Sequence, residues 1–145
     1  MYRVEKSVLV MHSAETMFHL VDTVEDYPKF LPWCGGTEVH ARDANITKAT
    51  IHINYHGLKQ HFTTQNTKTF PTHMQIVFVD GPFKMLEGEW QFIELQKNAC
   101  KIIFKLQYAF NNPLLEKVIA PVFSHIANTF VDHFIKRADQ DKLTS

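Results

Sequence analysis

The sequence predicts an α+β fold: a curved antiparallel sheet wrapped around one long C-terminal helix, with two short helices after the first strand. Three observations predict it. Apolar and polar residues alternate with period two in successive segments through the middle of the chain, the pattern of half-buried strands. A helical stripe follows Asn112-Pro113 and runs almost to the C-terminus. Between them, the stretch Asp80–Phe92 puts Leu86, Gly88, Trp90 and Phe92 on one strand face. A glycine inside a strand marks a bulge, a bend or a close approach, so this sheet curves.

Val4, Val8 and Val10 alternate in a first strand. Ser13 offers an N-cap, and Met17, Leu20, Val21 and Val24 follow with helical spacing. Asp26 and Pro28 open a second, short helix that Pro32 stops near Leu31, and Trp33-Cys34-Gly35-Gly36 reads as a loop. Ala49, Ile51, Ile53 and Tyr55 then alternate with Lys48, Thr50, His52 and Asn54. Gly57 marks a turn, and Leu58, Phe62 and Thr64 share the next face. Pro71 breaks the chain before Met74, Ile76 and Phe78, and Asp80-Gly81-Pro82 turns it again. After the Trp90 strand and a turn at Lys97-Asn98, Cys100, Ile102, Phe104, Leu106, Tyr108 and Phe110 form one apolar face. Polar Lys101, Lys105 and Gln107 alternate with them, as in antiparallel sheets with one wet face.

Asn112 can cap the last helix with Pro113 at its first position. Its stripe is Leu115, Val118, Ile119, Val122, Ile126, Phe130 and Phe134. Pro121 interrupts the helix interior and predicts a bend near Ala120.

Composition narrows the function. A chain of 145 residues makes one domain, 1–145, large enough to bury a core without disulfides or metals. Fifteen basic residues balance fifteen acidic ones, which argues against DNA as a partner. Two distant cysteines, Cys34 and Cys100, fit a reducing compartment. The charged start Met1–Lys6 lacks a signal-peptide core, and no apolar run approaches the roughly 20 residues that span a bilayer. A cytoplasmic, soluble protein is expected.

Six or seven strands at roughly 4.8 Å spacing make a sheet about 30 Å wide. One helix is only about 10–12 Å across. The sheet must therefore curl around the helix, and such a grip leaves an apolar hollow where a small ligand can bind. Inward Phe and Trp residues fit solid packing equally well, and patterning does not measure a void.

The run Asp80-Gly-Pro-Phe-Lys…Leu86…Gly88…Trp90…Phe92 resembles the signature of a START-like family. That family holds the coenzyme-Q-binding proteins and the ribosome association toxin RatA of bacteria. Upstream, Tyr27-Pro28-Lys29-Phe30-Leu31-Pro32-Trp33-Cys34 resembles its second motif, and Ser13-Ala14-Glu15 opens the helix before it. The resemblance spans essentially the whole chain and is closer to the bacterial branch. It implies a helix-grip (START/Bet v-like) fold with a hydrophobic tunnel, and noncatalytic binding of an isoprenoid quinone such as ubiquinone in support of respiration. The toxin branch implies instead binding to the large ribosomal subunit and a block of subunit association. No cofactor beyond the quinone ligand is implied.

Phe30, Leu31, Pro32 and Trp33 form an apolar loop. It reads either as a tunnel mouth touching the inner membrane peripherally or as a cap on the core. Phe83, Lys84, Trp90 and Phe92 belong to the signature; Lys84 offers donors to a quinone oxygen or a phosphate, or is simply solvated. Phe104, Tyr108, Val122, Ile126 and Phe130 are the expected tunnel lining. Nine histidines raise the question of metal, but no ligand spacing is complete: His52 alternates with the polar set and a turn separates it from His61. No nucleophile–base pair stands out, so an enzyme of the aromatic cyclase type is the minor alternative.

Overall fold

The computed structural model describes residues 1–144. Strand β1 (Tyr2–Val10) leads into α1 (Ala14–Asp22), a single 3-10 turn at Val24–Asp26 and α2 (Tyr27–Phe30). Six strands follow: β2 (Cys34–Arg42), β3 (Ile46–Tyr55), β4 (Leu58–Thr69), β5 (His73–Asp80), β6 (Phe83–Gln96) and β7 (Ala99–Phe110). Helix α3 (Pro113–Thr144) completes the chain. All seven strands make one antiparallel sheet in the order β1-β7-β6-β5-β4-β3-β2.

Local chemistry sets the boundaries. The Ser13 hydroxyl accepts from the Thr16 amide and starts α1. The Asn112 side chain accepts from the Leu114 amide at the start of α3, with Pro113 where its missing N–H costs nothing. His56 and Gly57, at φ 48° and 82°, make the two-residue turn between β3 and β4; positive φ at both central positions matches the twist of the paired strands.

Gly88 lies opposite Leu106 in the β6–β7 ladder. A Cβ there would sit 2.4 Å from the Lys105 carbonyl oxygen, so the close approach expected from the sequence is to the neighbouring backbone. Along β7, Cys100, Ile102, Phe104, Leu106, Tyr108 and Phe110 are all buried.

Two expectations need correction. The segment read as a loop at Cys34-Gly35-Gly36 opens edge strand β2, held by the Asn54 amide donating to the Trp33 carbonyl. Register shifts at Cys34/Gly36 and Val39/Ala41 break its period, and most of its residues are exposed, so no alternation marks it. The second concerns α3, whose buried face is Ile119, Phe123, Ile126, Ala127, Val131, Phe134 and Ala138. Leu115 and Val118 face solvent instead. The helix continues unbroken through Pro121. By length and composition alone α3 is long and apolar enough to cross a membrane, though polar residues interrupt every apolar run in it and its buried face packs inward.

Candidate functional site

The sheet and α3 enclose a cavity of about 70 Å³. Its sheet wall comes from inward positions of five strands: Thr47, Ala49 and Ile51 of β3, Phe62, Thr64 and Asn66 of β4, Ile76 of β5, Leu86 and Trp90 of β6, and Phe104 and Leu106 of β7. Helix α3 contributes Phe123, Ile126, Ala127 and Phe130. Val24, Tyr27 and Trp33 close it from the connection between α1 and β2. A water molecule needs roughly 10–15 Å³ of such space. The cavity therefore holds a few atoms, well short of the roughly 300–1,000 Å³ of a site for a drug-sized ligand.

Its walls divide chemically. One side is aromatic: Trp90 lies with its ring centroid 4.6 Å from Phe104 and 5.7 Å from Phe130, and Trp33 lies 6.1 Å from Phe130. Such offset and tilted contacts add favourable quadrupole energy to the burial of the rings. The other side is polar, because Thr47 pairs with Asn66 across the β3–β4 ladder and Ala49 with Thr64. The Thr47 hydroxyl donates to Asp22 Oδ1 at 2.7 Å, and Lys68 Nζ donates to Asp22 Oδ2 at 3.0 Å. The Lys68 side chain is 6 % exposed and that of Asp22 17 %, so this pair ties the end of α1 to β4 largely out of water. Arg42 reinforces the junction, donating to the Asp22 carbonyl and, through two nitrogens, to Glu25. The guanidinium holds the Glu25 carboxyl down at about 2.

Burial raises the pKa of the Tyr27 phenol, whose hydroxyl donates to the Val21 carbonyl. It raises that of the Cys34 thiol as well and pushes Cys100 up to about 11. Neither thiol is set up as a nucleophile, because desolvation disfavours the thiolate.

Of the residues expected to line a tunnel or carry the signature, Trp33, Trp90, Phe104, Ile126 and Phe130 meet in the cavity wall. Phe92 is buried behind it, stacked on Trp90 at 5.8 Å and facing Phe18 of α1. Phe83 and Tyr108 join Phe110 and Phe123 in a packed aromatic cluster, and the Tyr108 hydroxyl is paired with Ser124. Tyr108 and Val122 are therefore not wall residues; Phe123 takes the place expected of Val122. Lys84 is exposed. Leu31 and Trp33 are each 1 % exposed, which removes them from any membrane-touching loop, while Phe30 is half-buried beneath the Arg137 guanidinium at 5.3 Å. Val24, Tyr27, Thr47, Thr64, Asn66 and Ala127 were not anticipated. Thr47, Thr64 and Asn66 share the strand phase of Ala49 and Phe62, and that phase was the available signal.

His52 and His61, separated by a turn in sequence, are cross-strand partners with rings 5.7 Å apart, and His52 pairs with Glu38 at 2.8 Å. No group of three His, Cys, Asp or Glu side chains among the described residues could hold a metal ion.

The profile of the family described as "Polyketide cyclase / dehydrase and lipid transport" matches residues 10–135. The chain belongs to this START-like family. The ribosome association toxin RatA of Vibrio cholerae is 37% identical over 140 residues, covering 97% of this chain and 97% of that protein. A mitochondrial coenzyme Q-binding protein of Drosophila melanogaster is 28% identical, covering 97% of this chain and 61% of the relative. A START superfamily protein from Mycobacterium smegmatis superposes with a TM-score of 0.75 at 20% identity, covering 95% of this chain and 97% of that one. The architecture is the helix grip implied by the sequence motifs. The curated relatives carry the names of binding and association proteins.

Proposed function

We propose that the protein is a noncatalytic carrier that binds a hydrophobic small molecule between α3 and the sheet, and that the ligand is an isoprenoid quinone such as ubiquinone, in support of respiration. The observation that carries this reading is the cavity, walled by Trp33, Trp90, Phe104 and Phe130 on one side and by Thr47, Thr64 and Asn66 on the other. An aromatic wall stacks a flat ring, and each buried CH₂ of an isoprenoid tail contributes about 0.8 kcal/mol. At about 70 Å³ the cavity takes only the leading edge of such a ring, so binding parts α3 from the sheet. In this reading the protein works in the cytoplasm and meets the inner membrane peripherally, where quinone dissolves.

Titration with a short-tailed ubiquinone tests the reading. Wild type is expected to bind, Ala127→Leu to lose affinity by filling the cavity, and Phe104→Ala to gain it by enlarging the space. Indifference of the affinity to both changes would place the ligand elsewhere.

Likeness to RatA favours a second role, binding to the large ribosomal subunit and blocking subunit association. Cosedimentation with large subunits that weakens as salt rises would support it, since phosphate contacts release counterions. Absence of cosedimentation at low salt would exclude it. One molecule can hold both roles, because the cavity is internal and the ribosome would meet the surface.

A further inference from the structure

Two buried side-chain nitrogens among the described residues lack a well-aligned hydrogen bond, Trp33 Nε1 and Arg137 Nε, and the latter is ion-paired with Asp141 Oδ1 at 3.2 Å. Only Trp33 belongs to the cavity wall. It is 1 % exposed, so solvent outside the protein does not satisfy its N–H. The wall hydroxyls are committed within the chain. The Thr47 hydroxyl donates to Asp22, the Tyr27 hydroxyl to the Val21 carbonyl and the Thr64 hydroxyl to Asn66 Oδ1 at 3.3 Å. Buried polar groups are nearly always paired, and an indole N–H can only donate. What is missing at Trp33 is therefore an acceptor.

We propose that Trp33 is the recognition residue of the cavity, its indole N–H donating to a carbonyl oxygen of the bound ring. This rests on the ligand-binding reading above and deepens it. The aromatic wall admits any flat apolar ring. Trp33 adds selection for rings that carry an acceptor, because a hydrocarbon of the same outline leaves the N–H unpaired while a quinone satisfies it. The chain positions this donor firmly: the Trp33 carbonyl accepts from the Asn54 amide at 2.8 Å, and the ring packs against Phe130.

The test compares duroquinone with durene, which share a tetramethylated ring and differ in the two carbonyl groups. The chain has two tryptophans, so the indole region of a ¹⁵N-correlated NMR spectrum holds two signals that Trp33→Phe assigns. Duroquinone is expected to bind roughly tenfold more tightly than durene and to move the Trp33 indole proton downfield, which durene does not. In Trp33→Phe the two compounds are expected to bind alike. Should that variant not fold, the wild-type preference and the shift of a single indole signal still decide. Binding of both compounds without preference, or a preference that survives in Trp33→Phe, overturns the role of Trp33 and leaves the carrier reading standing. Binding of neither compound overturns both.

Discussion

Gly88 shows how one missing side chain shapes the sheet. Its φ is not in the left-handed region, so its role is space rather than backbone freedom. A methyl group would meet the Lys105 carbonyl oxygen at 2.4 Å and Leu106 Cδ1 at 3.0 Å, and the backbone oxygen cannot swing aside as a side-chain tip can. Gly88→Ala is expected to cost about 1–3 kcal/mol, the usual penalty of overpacking. Denaturant titration checks this; an unchanged midpoint would mean that the two strands separate freely at this point. Glu25 supplies a pH signature. Its carboxyl, held at about 2 against an ordinary 4.5, binds protons less readily folded than unfolded. Its contribution is therefore complete above about pH 4.5 and is lost as pH falls toward 2. The difference in Tm between wild type and Glu25→Gln is expected to shrink across that window; a difference constant from pH 5 to 2 would show that the Arg42 pair adds nothing. Since the Glu25 side chain is 49% exposed, the effect is small.

Elements that bury one clean face were legible in the sequence, and those that do not were not. Strand β7 read correctly because six alternate apolar residues all point inward. Strand β2 escaped because its register shifts and exposure erase the alternation. The stripe of α3 was right where the sheet covers it, at Ile119, Ile126 and Phe134. It was wrong at Leu115 and Val118, where apolar residues face solvent. Helical spacing does not reveal where the covering sheet begins. The junction of α1 with β4 was invisible too, because Asp22 and Lys68 lie far apart in the chain. Removing one member of a buried pair strands the other charge. Asp22→Asn is expected to destabilise by about 3 kcal/mol, and adding Lys68→Met to recover most of that loss. Additive losses in the double variant would show that the two side chains do not act as a pair.

At the scale of the molecule, strand phase gave direction but not volume. Trp90, Phe104, Ile126 and Phe130 were expected on inward faces, and they converge on one cavity with Trp33, which was read as a loop residue. Phe83, Phe92 and Tyr108 were expected in the same role, and they pack solidly beside it. The motifs could not separate these groups, because each faces inward with the same chemistry. Contact with α3 does not separate them either, since Trp90 and Phe104 meet Phe130 as Phe83 and Tyr108 meet Phe123; what differs is where a gap is left between helix and sheet, and that depends on how far a seven-stranded sheet curls around its helix. The resulting space is small, so a whole quinone enters only as α3 moves away from the sheet. Native mass spectrometry of the protein purified from its own host addresses it directly. A population heavier than the polypeptide by the mass of one isoprenoid quinone, released on unfolding, is expected. A bare polypeptide mass that remains unchanged after incubation with quinone would contradict it.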